Sequence, residues 1–200
     1  MGQTQELLRT RIVDIEPIEQ CRNTTIRQKS DLVGLVEPPL LSACEELYDK
    51  NVPTLASSAN KKDIEYIDYK GEAQPNDGAY IVIDFDSLSE ANKNISAALG
   101  AVYYADEGNQ IKITIPLTTE STFGDVRSSA VEIAHKFEKQ KFSPVTYTLD
   151  QMRKIYYSET LRPEDLADEL YWVPELELFF LSREQYEKAT AEKAEEDSTI

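Results

Sequence analysis

The sequence predicts an α+β fold in which an antiparallel sheet of about four strands carries helices on one face. The first observation is the order of elements, because helix, strand, strand occurs twice and a third helix follows. This αββαββα order favours ferredoxin-like layering. The second observation is residues 110–117, where apolar and mostly polar residues alternate as on a half-buried strand. The third is a change in composition beyond Pro144, which predicts a small C-terminal appendage of helices and a hairpin.

The predicted organisation has four parts. An N-terminal arm covers residues 1–30, an α+β core domain covers 31–143, an appendage packed on the core covers 144–194, and a frayed acidic tail covers 195–200. A chain of 200 residues buries roughly 70% of its unfolded surface, so the core needs no disulfide or metal to stabilise it.

The first helix is predicted to begin at Pro38–Pro39, since proline suits a first helical turn. Asn51 is a left-handed stop for this helix, and residues 52–57 form the strand that follows. Residues 79–85 are apolar on both faces, as a central strand is. The apolar face of the helix contains five residues at spacings of three and four: Leu40, Leu41, Cys44, Leu47 and Tyr48.

Capping boxes and turn residues predict the remaining elements. Ser87–Glu90 begins the second helix, which Gly100 ends, and a hairpin joins residues 101–105 to 110–117. Thr122 and Asp125 begin the third helix. In the appendage, the caps are Thr148–Gln151 and Ser182–Gln185, a short helix begins at Arg162–Pro163, and Tyr171–Leu181 is a hairpin.

The charge balance restricts the class of partner. The chain has 37 acidic and 21 basic residues, a net charge of −16, which repels phosphate backbones and anionic lipid surfaces. We therefore expect no direct nucleic-acid binding and no membrane binding, and we expect a protein partner that is basic. A special case is an inhibitor that imitates nucleic acid and occupies the basic groove of another protein.

Two features predict a cytoplasmic location. Cys21 and Cys44 are too few for a disulfide framework and lack metal-ligand spacing, so both are expected to be reduced. No run approaches the roughly 20 apolar residues that span a bilayer, and the N-terminus has no apolar segment of signal-peptide length.

The polar loop after the first strand is the candidate ligand site. It contains hydroxyls, an amide and two lysines, from Ser57, Ser58, Asn60, Lys61 and Lys62. The two lysines place local positive charge in an otherwise acidic chain, and this positive charge would attract an anionic ligand. The alternative is a solvated turn whose serines bond their own backbone.

Three carboxylates form a candidate metal site. Asp84 and Asp86 are two residues apart and point to the same side of a strand, and Asp63 belongs to the preceding loop. Oxygen ligands of this kind bind Mg²⁺, and no other cofactor is indicated. In the alternative interpretation, Asp86 helps the Ser87 cap and Asp84 marks the solvated end of the strand.

The appendage is rich in aromatic residues that suit protein interfaces. The candidate partner-binding residues are Tyr157, Tyr171 and Trp172, which have acidic neighbours. The alternative is that these side chains form the core of the appendage.

Enzyme signatures are missing from the sequence. His135 is the only histidine, and no serine occupies a Gly-x-Ser-x-Gly elbow. We therefore expect an acidic cytosolic binding or regulatory protein that acts through protein–protein interaction, without catalysis. The alternative is a small enzyme or anionic-ligand-binding protein that uses residues 57–63 with Asp84 and Asp86.

Overall fold

A computed structural model of the protein describes residues 2–16, 18, 26, 28–59, 78–105 and 108–197. The described helices are α1 (Gly2–Leu8), α2 (Leu32–Leu35), α3 (Pro38–Asp49), α4 (Glu90–Ala98), α5 (Phe123–Lys136), α6 (Leu149–Ile155) and α7 (Arg183–Asp197). The strands are β1 (Thr54–Ser58), β2 (Ala79–Asp84), β3 (Val102–Tyr104), β4 (Gln110–Ile115), β5 (Thr146–Thr148), β6 (Tyr171–Val173) and β7 (Leu178–Phe180). Short 3-10 segments lie at Ile12–Asp14, Lys29–Asp31 and Pro163–Leu166.

The first four strands form an antiparallel sheet in the order β1-β2-β4-β3. The chain passes from β2 through α4 to β3, and β4 then returns between β2 and β3. The predicted α+β fold with a four-stranded antiparallel sheet is confirmed. Among the described strands, β1 and β3 lie at the two edges of this sheet.

The main core lies between the sheet and helices α3 and α5. In the register of β2 and β4, Ile81 pairs with Ile113 and Ile83 pairs with Ile111, so these four side chains share one face. They are buried together with Leu88 and with apolar residues of α3 and α5, as their spacing predicts. Ile95 and Ile133 are partly buried against the same cluster.

Local capping signals place two of the three main helices of the core correctly. Asn51 follows α3 with φ 58°, the left-handed conformation expected of a helix stop. At the start of α5, Thr122 and Asp125 form a complete capping box. The second helix begins later than predicted, because Ser89 rather than Ser87 is its N-cap and accepts a hydrogen bond from the Asn92 amide.

The buried face of α4 is polar, although spacing in the sequence predicts an apolar stripe of Leu88, Ala91, Ile95, Ala98 and Leu99. Asn92 and Ser96 are its buried residues, whereas Ala91 and Ala98 are exposed. Asn92 is buried because it is hydrogen-bonded: its Nδ2 donates to the Glu138 carbonyl at 2.9 Å and its Oδ1 accepts the Glu138 amide at 2.8 Å.

Gln140 joins three separate parts of the core domain. Its Nε2 donates to the carbonyls of Asn51 at 3.0 Å and Ser87 at 2.8 Å. Its Oε1 accepts from the Ser89 amide at 2.9 Å and from Asn92 Nδ2 at 2.7 Å. One side chain therefore fixes the end of α3, the start of α4 and the segment after α5 relative to each other.

Part of the N-terminal segment is packed on the core. The Ile12 amide donates to the Ser121 carbonyl at 2.9 Å, and the Phe123 amide donates to the Thr10 carbonyl at 2.8 Å. The Ile12 side chain is fully buried in the main core. The segment that the sequence presents as an arm thus contributes Ile12 to the core and covers the start of α5.

The C-terminal unit, residues 145–197, is built on a second antiparallel sheet in the order β5-β7-β6. The predicted hairpin supplies β6 and β7, and β5 adds a third strand that was not predicted. Its core contains buried Val145, Tyr147, Met152, Leu166 and Phe179. Helix α7 continues to Asp197. Every described helix is too short or too polar to cross a membrane.

The C-terminal unit packs against the end of the four-stranded sheet where β1 begins and β2 ends. Leu55, the extra residue of a β-bulge in β1, packs against the second core. A side chain at Gly108 would approach Tyr147 within 3.0 Å and Ile155 within 3.2 Å, and its φ of 85° also favours glycine. This position therefore requires glycine for the two units to meet closely.

Candidate functional site

A cleft of about 680 Å³ lies where the two units meet. One wall is the main domain from Val52 to Ser57, including most of edge strand β1. The opposite wall comes from the C-terminal unit and the segment before it, with Phe142, Met152, Tyr156 and Leu170 among its residues. The volume is in the range of about 300–1,000 Å³ that is typical of binding sites in proteins.

Polar groups are placed among the apolar walls of this cleft. The Tyr156 hydroxyl donates to the Glu169 carboxylate, and burial together with this hydrogen bond raises the pKa of Tyr156 to about 12. The Lys188 ammonium lies 3.9 Å from the centroid of the Phe142 ring, in a cation–π contact. Gln185 lies on the same lining.

The predicted ligand loop is only partly within the described residues. Ser57 lies on β1 and lines the cleft. Ser58 is buried at the end of β1, and the next amide, of Ala59, donates to the buried Glu37 carboxylate. Asn60, Lys61 and Lys62 lie outside the described residues, so the anionic-ligand site stays a prediction.

The Cys44 thiol is a core group. Cys44 is buried on α3, and burial raises the pKa of its thiol to about 12. A thiol with this pKa is almost entirely protonated at neutral pH, which makes it a poor nucleophile.

Two of the predicted metal ligands, Asp84 and Asp86, accept hydrogen bonds from different residues. Asp84 Oδ2 accepts the Ser87 amide at 2.9 Å, and Asp86 Oδ2 accepts Asn109 Nδ2 at 2.6 Å. Asp63 lies outside the described residues, so Mg²⁺ binding stays a prediction. In the part of the chain that the structure describes, no group of three or more His, Cys, Asp or Glu side chains could hold a metal ion.

Asp84 is a buried carboxyl group at the contact between the two units. Its side chain is 2% exposed, and burial raises its pKa from 3.8 to about 6 despite the hydrogen bonds from Ser87. Burial, followed by the negative charge of Asp84, raises the pKa of the Tyr147 phenol. The expected role of Asp84 as the solvated end of β2 is therefore wrong, and it is Asp84 rather than Asp86 that bonds the Ser87 amide.

We expect Asp84→Asn to stabilise the protein at neutral pH. A carboxyl group with a raised pKa in the folded state contributes stability below its unfolded pKa of 3.8 and loses it as the pH rises through about 6. Keeping the Asp84 carboxylate ionised in the folded state therefore lowers the free energy of unfolding by up to about 3 kcal/mol at pH 7.5. An asparagine carries no charge and avoids this loss. Its side-chain oxygen can still accept the Ser87 amide. Urea unfolding at pH 7.5 and pH 4 measures the difference, which should disappear at pH 4. An equal difference at both pH values would contradict this expectation.

The three predicted partner-binding aromatics differ in exposure, and their role in partner binding stays a prediction. Tyr157 is 94% exposed and has φ 50°, an unusual conformation for a bulky residue. Tyr171 is half-buried against the Tyr186 ring, with centroids 5.6 Å apart, and Trp172 is half-buried 4.6 Å from the Phe179 ring. All three side chains lie outside the lining of the cleft.

His135 is a mostly exposed residue of α5. Its Nδ1 lies 2.6 Å from Glu46 Oε1, which also accepts from Lys50 Nζ at 2.6 Å. Lys50 in turn donates to the Ala134 carbonyl, so this cluster connects α3 to α5 on the surface of the main domain.

Apart from Ser57, which belongs to the predicted ligand loop, no local pattern in the sequence marks the cleft residues. Leu55 enters the interface through a bulge, and Tyr156 and Glu169 meet across 13 positions of the chain. The Ser182–Gln185 spacing signals a helix cap only.

Comparison of the chain with protein-family models, curated proteins and solved structures finds no match.

Proposed function

We propose that this protein is a non-catalytic binding protein that holds an extended, basic segment of a partner protein in the cleft between its two units. One observation carries the proposal: the cleft is bordered by β1, an edge strand of the four-stranded sheet as described. An edge strand presents backbone N–H and C=O groups to which an extended peptide adds as a further strand.

The dimensions of the cleft support an extended occupant. β1 is five residues long, which corresponds to about 17 Å of strand at about 3.4 Å per residue. Thr54, Leu55, Ala56 and Ser57 lie on the cleft in sequence. A segment of four to six residues can therefore pair along β1 while alternate side chains contact the opposite wall.

The aromatic content of the lining supports a protein occupant. Tyr48, Phe142, Tyr147 and Tyr156 all contribute to the cleft. Aromatic side chains are enriched at protein interfaces because they give a large contact area at a small cost in conformational entropy. The apolar side chains of the occupant would pack against these rings.

Charge supports a basic partner. The chain has a net charge of −16, and Glu169 and Glu184 lie on the lining of the cleft. The cationic side chain of Lys188 is directed at the Phe142 ring. A cationic segment is attracted to such a surface at long range, and its rate of association rises at low salt.

We expect a labelled eight-residue peptide of alternating valine and arginine to bind the protein, and an alternating valine and glutamate peptide to fail. Fluorescence anisotropy measures both dissociation constants. Binding should weaken between about 0.1 M and 1 M salt, because the screening length shortens from about 10 Å to about 3 Å.

Matched variants locate the binding in the cleft. Ala56 is an exposed residue of the β1 wall, so Ala56→Arg adds bulk and positive charge and should weaken binding of the valine–arginine peptide at least tenfold, about 1.4 kcal/mol. Ala97 is exposed on α4 away from the cleft, and Ala97→Arg makes the same change in charge. Equal binding by both variants, or preference for the glutamate peptide, would refute the proposal.

A further inference from the structure

Gln185 has a buried acceptor atom for which the protein supplies no donor. The residue lies in the first turn of α7, on the lining of the cleft. Its Oε1 is shielded from solvent and has no hydrogen-bond partner among the described residues. Buried polar atoms are almost always hydrogen-bonded, because an unpaired acceptor keeps the full cost of its desolvation.

Gln151 makes the capping-box hydrogen bond that Gln185 lacks, so the two glutamines can be compared. In the Thr148–Gln151 capping box, Gln151 Oε1 accepts the Thr148 amide at 2.7 Å and Thr148 Oγ1 accepts the Gln151 amide at 3.2 Å. At the start of α7, Ser182 Oγ likewise accepts the Gln185 amide at 3.2 Å, but Gln185 Oε1 makes no return bond. The Gln185 side chain therefore does not complete the capping box that the Ser182–Gln185 spacing favours.

We infer that Gln185 is a specificity-determining residue of the cleft, and that its partly exposed side chain turns on binding so that Oε1 accepts an N–H of an arginine side chain in the bound segment. This inference rests on the proposed function. Arginine presents five N–H donors in a planar fork and accepts no hydrogen bond, so it can satisfy Oε1 and still donate to a second acceptor. Glu169 and Glu184 are on the same lining, which favours a cationic donor over a neutral one.

Peptides with single changes test the inference. In the valine–arginine peptide, each arginine in turn is replaced by norleucine, which keeps an unbranched side chain and removes every donor. For the wild-type protein, one replacement should weaken binding about tenfold more than the others. For Gln185→Met, which preserves side-chain length but lacks the acceptor, that additional loss should disappear.

The possible outcomes separate this inference from the function on which it rests. If the wild-type protein binds the parent peptide and Gln185→Met responds to the norleucine series as the wild type does, the role of Gln185 is refuted while the peptide-binding cleft stands. If the wild-type protein binds no valine–arginine peptide, the proposed function is refuted and this inference with it.

The melting temperature of the free protein provides a control that needs no ligand. Gln151→Met removes one half of a capping box and should lower Tm by about 2–4 °C. Gln185→Met should leave Tm unchanged or raise it, because it removes an unpaired buried acceptor. A loss of Tm equal to that of Gln151→Met would identify Gln185 as a capping residue and overturn the inference.

Discussion

Ile113→Ala is expected to lower the free energy of unfolding by about 2–5 kcal/mol. Ile113 is 1% exposed on β4, a central strand of the four-stranded sheet, and it pairs directly with Ile81 of β2. Removing its outer carbons leaves a cavity between the sheet and the helices that the well-packed surroundings fill only in part. Urea unfolding followed by far-ultraviolet circular dichroism measures the loss.

A graded substitution at the same position serves as the control. Ile113→Val removes one methylene-sized group and should cost about 0.5–1.5 kcal/mol. If both substitutions cost less than about 0.5 kcal/mol, Ile113 is not a core residue and the register of β2 and β4 is wrong.

Phe179→Ala is expected to lower the free energy of unfolding of the C-terminal unit by about 3–5 kcal/mol. Phe179 is fully buried on β7, the central strand of the second sheet, and its ring lies 4.6 Å from that of Trp172. Trp172 is the only tryptophan in the chain, so its fluorescence reports on this unit specifically.

The surface of the same hairpin offers the matched control. Leu176 is exposed in the turn between β6 and β7, and Leu176→Ala should change stability by about 0.5 kcal/mol or less. An unchanged fluorescence transition for Phe179→Ala would show that the second core does not stabilise the C-terminal unit.

The sheet and most helices could be predicted because their signals are local. Alternation at residues 110–117 marks β4, and the Thr122–Asp125 and Thr148–Gln151 boxes mark the starts of α5 and α6. Each signal lies within about ten residues, where side-chain periodicity and caps directly constrain the backbone.

Elements that depend on distant partners could not be predicted. β5 is three residues long and becomes a strand only by pairing with β7, about thirty positions later. Asn92 interrupts an apolar pattern, and its burial depends on Glu138 and Gln140, 46 and 48 positions away. Ile12 enters the core through backbone bonds to residues 121–123.

The candidate site was the least predictable feature for the same reason. The cleft combines an edge strand of the first sheet with side chains of the C-terminal unit, and a one-dimensional pattern contains no information on how the two surfaces meet. A net charge of −16 and the aromatic residues after Pro144 predict a basic protein partner, and the basic partner stays a prediction.

Amide hydrogen exchange of the two edge strands, with and without the valine–arginine peptide, tests the binding cleft most directly. If the peptide adds to β1, the amides of residues 54–58 that do not pair with β2 should exchange more slowly when the peptide is bound. Those of β3, the opposite edge of the same sheet, should be unaffected. Peptide binding that leaves β1 exchange unchanged, or that protects β3 instead, would contradict the assignment of the cleft as the binding site.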